Sequence, residues 1–193
     1  MERYYSDDEL HHLGLGDVGH NVRLDRSTVL LNPAGLRIGD NTRIDAFCLI
    51  SAFGPGVSVG RNVHIAAGAY IFGGGGVTIE DFAGLSARSI IYSANDDYSG
   101  EYLTGPTIEP EFTAVRTAPV RVGRHAVVGA GSIILPGVTL GDGSAIGALS
   151  LIKEDVDAFT IVAGSPARAV KTRSRRLLER EAELLRREQG RGF

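Results

Sequence analysis

Aliphatic residues recur at every sixth position between Val120 and Ala169, and this period constrains the fold more than any other feature. Glycine directly follows four of the six anchors, which are Val122, Val128, Ile134, Leu140, Ile146 and Ile152. An α-helix repeats about every 3.6 residues and a half-buried strand every second residue, so neither element explains the pattern. The period instead predicts a stacked repeat, in which three hexapeptides close one triangular coil of about eighteen residues. We therefore expect an all-β solenoid.

The same spacing extends upstream with a few interruptions. Further anchors are Val18, Leu24, Leu30, Ile38, Ile44, Ile50, Val59, Ile65, Ile71, Ile79, Leu85 and Ile91. Two restarts follow glycine-rich insertions at 53–56 and 72–76, which the register places at enlarged corners on one edge of the prism. The coil starts then align at Ile38, Val59, Ile79, Val122 and Leu140, which predicts about five coils.

One long interruption follows Ile91. Residues 93–119 carry no hexapeptide, and they include Asp96, Asp97 and several aromatic and acidic side chains. The register predicts that this segment leaves the third face of one coil and re-enters at the first face of the next. Because a loop of this length inside a compact repeat fold is usually functional, we expect a projecting loop near a binding site.

Both ends of the chain carry helix signals. Ser6 to Glu9 forms a capping-box pattern, which predicts a brief helix over the first coil within an N-terminal cap segment, residues 1–17. The solenoid then occupies residues 18–172. Leucines alternate with charges from Ser174 to Glu188, so residues 173–193 are expected to hold an amphipathic helix. Its predicted role is to cap the open end of the solenoid, with binding of a partner helix as the alternative.

Composition narrows the function classes. An apolar content of 43% is ample for a core, and a net charge of −3 gives no field for nucleic-acid binding. No apolar run is long enough to cross a bilayer, and residues 1–10 lack a signal-peptide core, so a cytoplasmic protein is expected. The single Cys48 excludes an internal disulfide and is predicted to be buried.

The repeats and the closing Ala163-Gly164-Ser165-Pro166-Ala167-Arg168 resemble the hexapeptide-repeat, left-handed parallel β-helix acyltransferases. The likeness covers about residues 18–171. It is closest to the galactoside and maltose O-acetyltransferases and to sugar acetyltransferases of polysaccharide gene clusters. The resemblance implies a homotrimer, acetyl-CoA in the groove between neighbouring prisms, and a sugar acceptor near the extended loop.

The resemblance also implies positions for the cofactor. Ala130 and Ala148 correspond to small residues that let the pantetheine arm lie against the coil. Arg168 and Lys171, together with Lys153, resemble the basic residues that meet the CoA phosphates. No metal is expected, because the adjacent His11 and His12 point to different faces of a short helix and no further ligand spacing supports them.

The family's usual catalytic base is absent. In galactoside acetyltransferase this base is a histidine shortly after the anchor that starts the loop, and Asp96 stands at that place here. His64 and His125 are the histidines within the coils. His64 lies at an outward corner, and the corresponding position in the galactoside family carries a tyrosine at the acceptor site. A histidine suits base work at neutral pH, but a purely structural hydrogen bond at a corner is equally compatible with the sequence.

These residues give one catalytic hypothesis: His64 takes the proton of the acceptor while Asp96 or Asp97 orients the sugar. His125 is interpreted as a surface residue. The resulting prediction is an acetyl-CoA-dependent O-acetyltransferase acting on a sugar hydroxyl.

An N-acetyltransferase of a nucleotide-linked amino sugar is the alternative, because an amine is a better nucleophile and depends less on a base. A non-catalytic β-helix scaffold is the alternative of another class. A γ-class carbonic anhydrase needs three zinc-bound histidines, which two coil histidines cannot supply.

Overall fold

The computed structural model describes residues 2–189, and it is a left-handed parallel β-helix with three flat faces. The first face consists of β1 (Asp17–Val18), β4 (Leu36–Ile38), β7 (Val57–Val59), β10 (Val77–Ile79), β15 (Val120–Val122) and β18 (Thr139–Leu140). The second consists of β2 (Arg23–Leu24), β5 (Arg43–Ile44), β8 (His64–Ile65), β11 (Gly84–Leu85), β16 (Val127–Val128), β19 (Ala145–Ile146) and β21 (Thr160–Gly164), with β22 (Ala167–Thr172) antiparallel at its end. The third consists of β3 (Val29–Leu31), β6 (Leu49–Ser51), β9 (Tyr70–Phe72), β12 (Ile90–Tyr92), β17 (Ile133–Ile134) and β20 (Leu151–Ile152).

These strands form six complete coils and a partial seventh. The seventh begins where Val156 bridges to Leu140 on the first face and continues with β21 on the second face. The expectation of about five coils is therefore too low. The two-residue strands β1 and β2 already pair in parallel with β4 and β5, so the first coil begins before Ile38.

The predicted anchors fill the interior. All but two of them are buried, and they stack in one continuous core from Leu24 to Val162; Val18 and Leu30, in the first coil, are only partly buried. Cys48 is also buried, as predicted, and its thiol lies 3.3 Å from the carbonyl oxygen of Ala66. Hydrogen bonds between neighbouring coils hold these anchors in register, so the stacked side chains form one core along the axis of the prism.

We call the edge between the first and second faces the first edge, that between the second and third the second edge, and that between the third and first the third edge. Residues with positive φ recur at the first edge, where Asn21 donates a hydrogen bond to Asn41 in the coil above. Another such column lies on the second edge, at Phe47, Gly68, Arg88, Gly131 and Leu149. The enlarged corners lie on the third edge, as predicted.

The long loop leaves the third face after β12 and returns to the first face at β15, which confirms the prediction. Two short antiparallel strands, β13 (Ala94–Asn95) and β14 (Arg116–Thr117), join its two ends. Short 3₁₀ helices span Pro33–Gly35 at the corner between β3 and β4 and Pro110–Phe112 in the loop.

Helix α1 (Asp7–His12) begins with the predicted capping box, and its Leu10 is buried against the first coil. Helix α2 (Arg176–Gln189) does not cap the open end. It runs along the first edge, where Arg175 stacks on Phe159 in the seventh coil and Glu181 meets Arg124 and His125 in the fifth. Residues 190–193 of the predicted helical segment lie outside the described residues. No helix within residues 2–189 combines the length and apolar character needed to span a bilayer.

Candidate functional site

His64 lies on the outer side of the second face, in β8. Its side chain is 53% exposed, and its Nε2 is 2.8 Å from Oδ2 of Asp45 in the coil below. The residue opposite His64 in the coil above is Gly84, which has no side chain to cover the imidazole. The ring is therefore held at one nitrogen and open to an incoming group on its other side.

Asp45 is the buried partner that holds this ring. Its side chain is only 9% exposed, and its Oδ1 accepts hydrogen bonds from Arg43 Nε at 2.8 Å and Arg3 Nη2 at 3.0 Å. Burial alone would raise the pKa of Asp45, but the hydrogen bonds from Arg43 and His64 outweigh it, so the pKa lies below its ordinary value. The charged carboxylate can only accept, so in the neutral ring Nε2 carries the hydrogen and Nδ1 presents a lone pair outward.

The sequence analysis missed Asp45. It predicted that Asp96 or Asp97 orients the acceptor sugar and named no partner for His64, whose hydrogen-bonding carboxylate is Asp45. The coil register contains a usable signal, because β5 pairs with β8 and brings Arg43 opposite His64, two residues before Asp45.

Asp97 stabilises the start of the loop. Its carboxylate accepts hydrogen bonds from the hydroxyl of Ser99 at 2.9 Å and from the backbone N–H groups of Ser99 and Gly100. These hydrogen bonds lower the pKa of Asp97, and the bond from the Ser99 hydroxyl has the largest effect. Asp96 is exposed directly after β13. The structure thus gives Asp97 a structural role and leaves Asp96 as the loop carboxylate that is open to a ligand.

The prediction that His125 is a surface residue is wrong. Its side chain is 11% exposed, its Nε2 is 2.9 Å from Oε2 of Glu181, and its ring stacks on Phe82 with the centroids 5.1 Å apart. Burial lowers the pKa of His125, and the charges of Arg124 and Arg173 lower it further. His125 therefore fastens α2 to the first edge of the solenoid.

The two alanines predicted to line the cofactor groove lie one above the other on the second edge. The backbone N–H of Leu149 donates to the carbonyl oxygen of Ala130 at 2.9 Å, which brings Ala148 directly over Ala130. Both alanines are exposed, and the column continues downward through Ala87, whose carbonyl oxygen accepts from Gly131. The result is a flat strip that an extended chain could lie against.

Two of the three predicted basic residues come together at the C-terminal end. Lys153 and Arg168 line one groove of about 190 Å³, beside the hairpin formed by β21 and β22. Lys171 is exposed on β22 but does not line that groove. Lys153 also lies 3.5 Å from Glu154, and Glu154, Asp155 and Asp157 line the same groove, so its carboxylates outnumber its two cations. Within residues 2–189 no group of three or more His, Cys, Asp or Glu residues is arranged to hold a metal ion.

Two family descriptions match the chain. "Bacterial transferase hexapeptide (six repeats)" matches residues 119–154, and "Hexapeptide repeat of succinyl-transferase" matches residues 35–72. A dTDP-4-amino-4,6-dideoxy-D-glucose acyltransferase of Escherichia coli is 42% identical over 179 residues, which cover 93% of each protein. The galactoside O-acetyltransferase of E. coli K12 is 25% identical over 155 residues, covering 79% of this chain and 71% of that enzyme.

Solved structures of acyltransferases also resemble this chain. AntD, an N-acyltransferase from Bacillus cereus solved with dTDP and 3-hydroxybutyryl-CoA, superposes with a TM-score of 0.94 at 41% identity, covering 98% of this chain and 100% of AntD. A hexapeptide-repeat acetyltransferase from Vibrio cholerae, at 21% identity and a TM-score of 0.59, shares the fold. Stacked hexapeptides around a triangular core define the protein class as a left-handed β-helix transferase. The chain belongs to the hexapeptide-repeat acyltransferase family, as the repeats and the closing motif predicted.

Proposed function

We propose that the protein transfers an acyl group from acyl-CoA to the amino group of a dTDP-linked 4-amino-4,6-dideoxy sugar. The observation that carries this proposal is the 42% identity, over 93% of both chains, to the E. coli acyltransferase named for that substrate. AntD, which has also been solved with dTDP-4-amino-4,6-dideoxyglucose and CoA, supports it. These relatives favour the amino-sugar alternative over the predicted sugar hydroxyl, for which the related galactoside enzyme is only 25% identical.

A serine and an aspartate support the same assignment. AntD has been solved with substitutions at a serine and at an aspartate ten residues further along its chain. Ser86 and Asp96 have this spacing here, after β11 and β13. The pair Ser132 and Asp142 has it too, but Ser132 is fully buried and Asp142 pairs with Arg121. We therefore assign Ser86, which the sequence analysis did not single out, and Asp96 to the acceptor site.

The proposed residues can perform the transfer. Acyl-CoA supplies a thioester carbonyl carbon, where the C–N bond forms as the C–S bond breaks and the sulfur leaves to become the CoA thiol. The amine arrives largely as an ammonium ion and must lose protons before and during attack. His64 can accept a proton at Nδ1, because Asp45 holds Nε2, and can return one to the departing sulfur. The Ala130–Ala148 strip fits the extended arm of CoA, and Lys153 and Arg168 supply the cations for its phosphates.

We also propose a homotrimer. The outer side of the third face is almost wholly apolar, with Val29, Leu49, Tyr70, Ile90, Ile133 and Leu151 in register from coil to coil. An apolar face of this extent on a solenoid favours burial against another subunit. Light scattering is expected to give three times the 20.4 kDa mass of the chain, and a monomer at micromolar concentration would contradict the proposal.

The acceptor assignment is tested by two substrates that differ in one atom. With acetyl-CoA, dTDP-4-amino-4,6-dideoxyglucose is expected to be acylated, whereas dTDP-6-deoxyglucose, with a hydroxyl in place of the amine, is expected to react at least about a hundredfold more slowly, since the neutral hydroxyl is a far weaker nucleophile. The release of CoA thiol measures both rates. Equal or faster reaction of the hydroxyl compound would restore the O-acetyltransferase interpretation.

The cofactor assignment is tested at the C-terminal groove. Replacing Lys153 and Arg168 together with alanine is expected to raise the KM for acetyl-CoA by about a hundredfold or more, because hydrogen bonds to charged groups contribute roughly 1.5–3 kcal/mol each. Lys171→Ala is expected to have a smaller effect, because Lys171 lies outside the groove. Arg37→Ala, at an exposed arginine on the first face, is the control. A double variant with unchanged KM would contradict the assignment.

A further inference from the structure

A notch interrupts the second edge below the alanine strip. It is lined by Phe47, Ala67, Gly68, Tyr70, Arg88 and Ile90, and its volume is about 430 Å³. Phe47, Gly68 and Arg88 occupy the same corner position in three successive coils, so the missing side chain of Gly68 opens a gap between an aromatic ring and a guanidinium group. This volume falls in the range of sites that bind small molecules.

The corner conformation at this notch is unfavourable for the residues that it uses. Phe47 has φ 60° and Arg88 has φ 58°, in the left-handed region, which costs a bulky residue about 1 kcal/mol or more compared with glycine. Glycine occupies the equivalent position at Gly68 and Gly131, so the fold also accepts the residue that adopts this conformation without strain. Leu149 has the same conformation in the sixth coil, so the conformation belongs to the corner, and the notch is distinguished by the two large side chains on either side of Gly68.

The side chains at the notch suit a nucleotide. Within the described residues Arg88 forms no ion pair, whereas Arg43, Arg61, Arg121 and Arg124 each pair with a carboxylate. Phe47 is 72% exposed and presents its ring surface to solvent, whereas Tyr70 belongs to the apolar third face that is proposed to pack on a neighbouring subunit. A free guanidinium binds phosphate oxygens in a bidentate manner, and aromatic faces stack on nucleobases.

The position of the notch on the second edge fits a site for the acceptor substrate, beside the strip proposed to bind the acyl donor. The alanine strip at Ala130 and Ala148 lies in the fifth and sixth coils, and the notch lies in the second to fourth. Ser86 lies two residues before Arg88, in the fourth coil directly after β11. We infer that the notch binds the nucleoside diphosphate end of the acceptor, with Arg88 on the phosphates and Phe47 against the base. This inference rests on the proposed function, and it adds the residues that recognise the dTDP group.

Calorimetric titration with dTDP tests the inference. Arg88→Gln is expected to weaken dTDP binding by about 10- to 100-fold, as expected for loss of hydrogen bonds to a charged group. Gly68→Asn should also weaken it, because asparagine tolerates positive φ and its amide would fill the notch. A Cβ atom at Gly68 would meet only Cγ of Arg88, at 3.5 Å, so this variant should fold. Arg37→Gln is the matched control and should bind dTDP like the wild type.

Kinetics separate this inference from the proposed function. Arg88→Gln should raise the KM for the dTDP-linked amino sugar with kcat within about twofold, and it should leave the rate with the methyl glycoside of the same amino sugar unchanged. A wild type that neither binds dTDP nor acylates the amino sugar would overturn the proposed function and this inference with it. A wild type that does both, beside Arg88→Gln and Gly68→Asn variants that bind dTDP equally well, would overturn the inference alone.

Discussion

Replacing His64 with alanine is expected to lower turnover on the dTDP-linked amino sugar by about a hundred- to ten-thousandfold at pH 7, the usual contribution of a positioned base. Affinity for acetyl-CoA should not change, because His64 lies in the third coil, whereas the groove lined by Lys153 and Arg168 lies at the C-terminal end of the solenoid. Asp45→Asn should lower turnover nearly as much. The asparagine amide can donate to Nε2, which moves the hydrogen to Nδ1 and removes the lone pair that accepts the proton. Steady-state rates at saturating acetyl-CoA measure both effects.

The pH dependence distinguishes catalysis from folding. An amine with a pKa of about 8, as for an α-amino group, loses its proton to solvent as the pH rises. The deficit of both variants should therefore shrink above pH 8, whereas a misfolded site would stay inactive. Asp25→Asn is the matched control, since Asp25 is a buried carboxylate that also binds Arg3 but does not touch His64. A His64→Ala variant with wild-type turnover at pH 7 would remove His64 from the mechanism.

Gly129→Ala is expected to destabilise the protein by about 3 kcal/mol, at the upper end of the range for overpacking. A Cβ atom there would lie 2.5 Å from the backbone nitrogen of Ala148 and 2.6 Å from the carbonyl oxygen of Ile146. Both are backbone atoms of the next coil, so the coils themselves must separate. Urea denaturation, at one protein concentration because the protein is proposed to be oligomeric, measures the change.

The control for Gly129 is a glycine on the same face. At Gly84 a Cβ atom would meet only Cγ2 of Val127, at 3.9 Å, which is ordinary contact. Gly84→Ala should therefore shift the unfolding midpoint little. Equal shifts for the two variants would mean that the close approach of coils at Gly129 does not limit stability.

The sequence predicted the features that depend on local spacing. The six-residue period, the enlarged corners on the third edge and the loop at 93–119 all follow from the spacing of the anchors along the chain. The capping box of α1 needs only Ser6 and Glu9. Features that depend on pairs distant in the chain were missed. His125 looked like a surface residue, because nothing near it indicates that Glu181, on α2, covers it. The pairing of Asp45 with His64 depends on the lengths of the corners, which set the register between coils. The leucine pattern of α2 indicates the apolar side of the helix but not the edge of the solenoid along which the helix lies.

The course of α2 along the first edge changes how the C-terminal part of the solenoid should open. In a simple stack each coil contacts only the next, so end coils can detach one at a time. Here Arg173 binds the carbonyl oxygens of His125 in the fifth coil and of Gly143 and Ser144 in the sixth, while Arg175 stacks on Phe159 in the seventh. Losing one coil would therefore break contacts with the others. The last three coils should behave as one cooperative unit, which keeps the alanine strip and the groove lined by Lys153 and Arg168 in place until that whole unit unfolds.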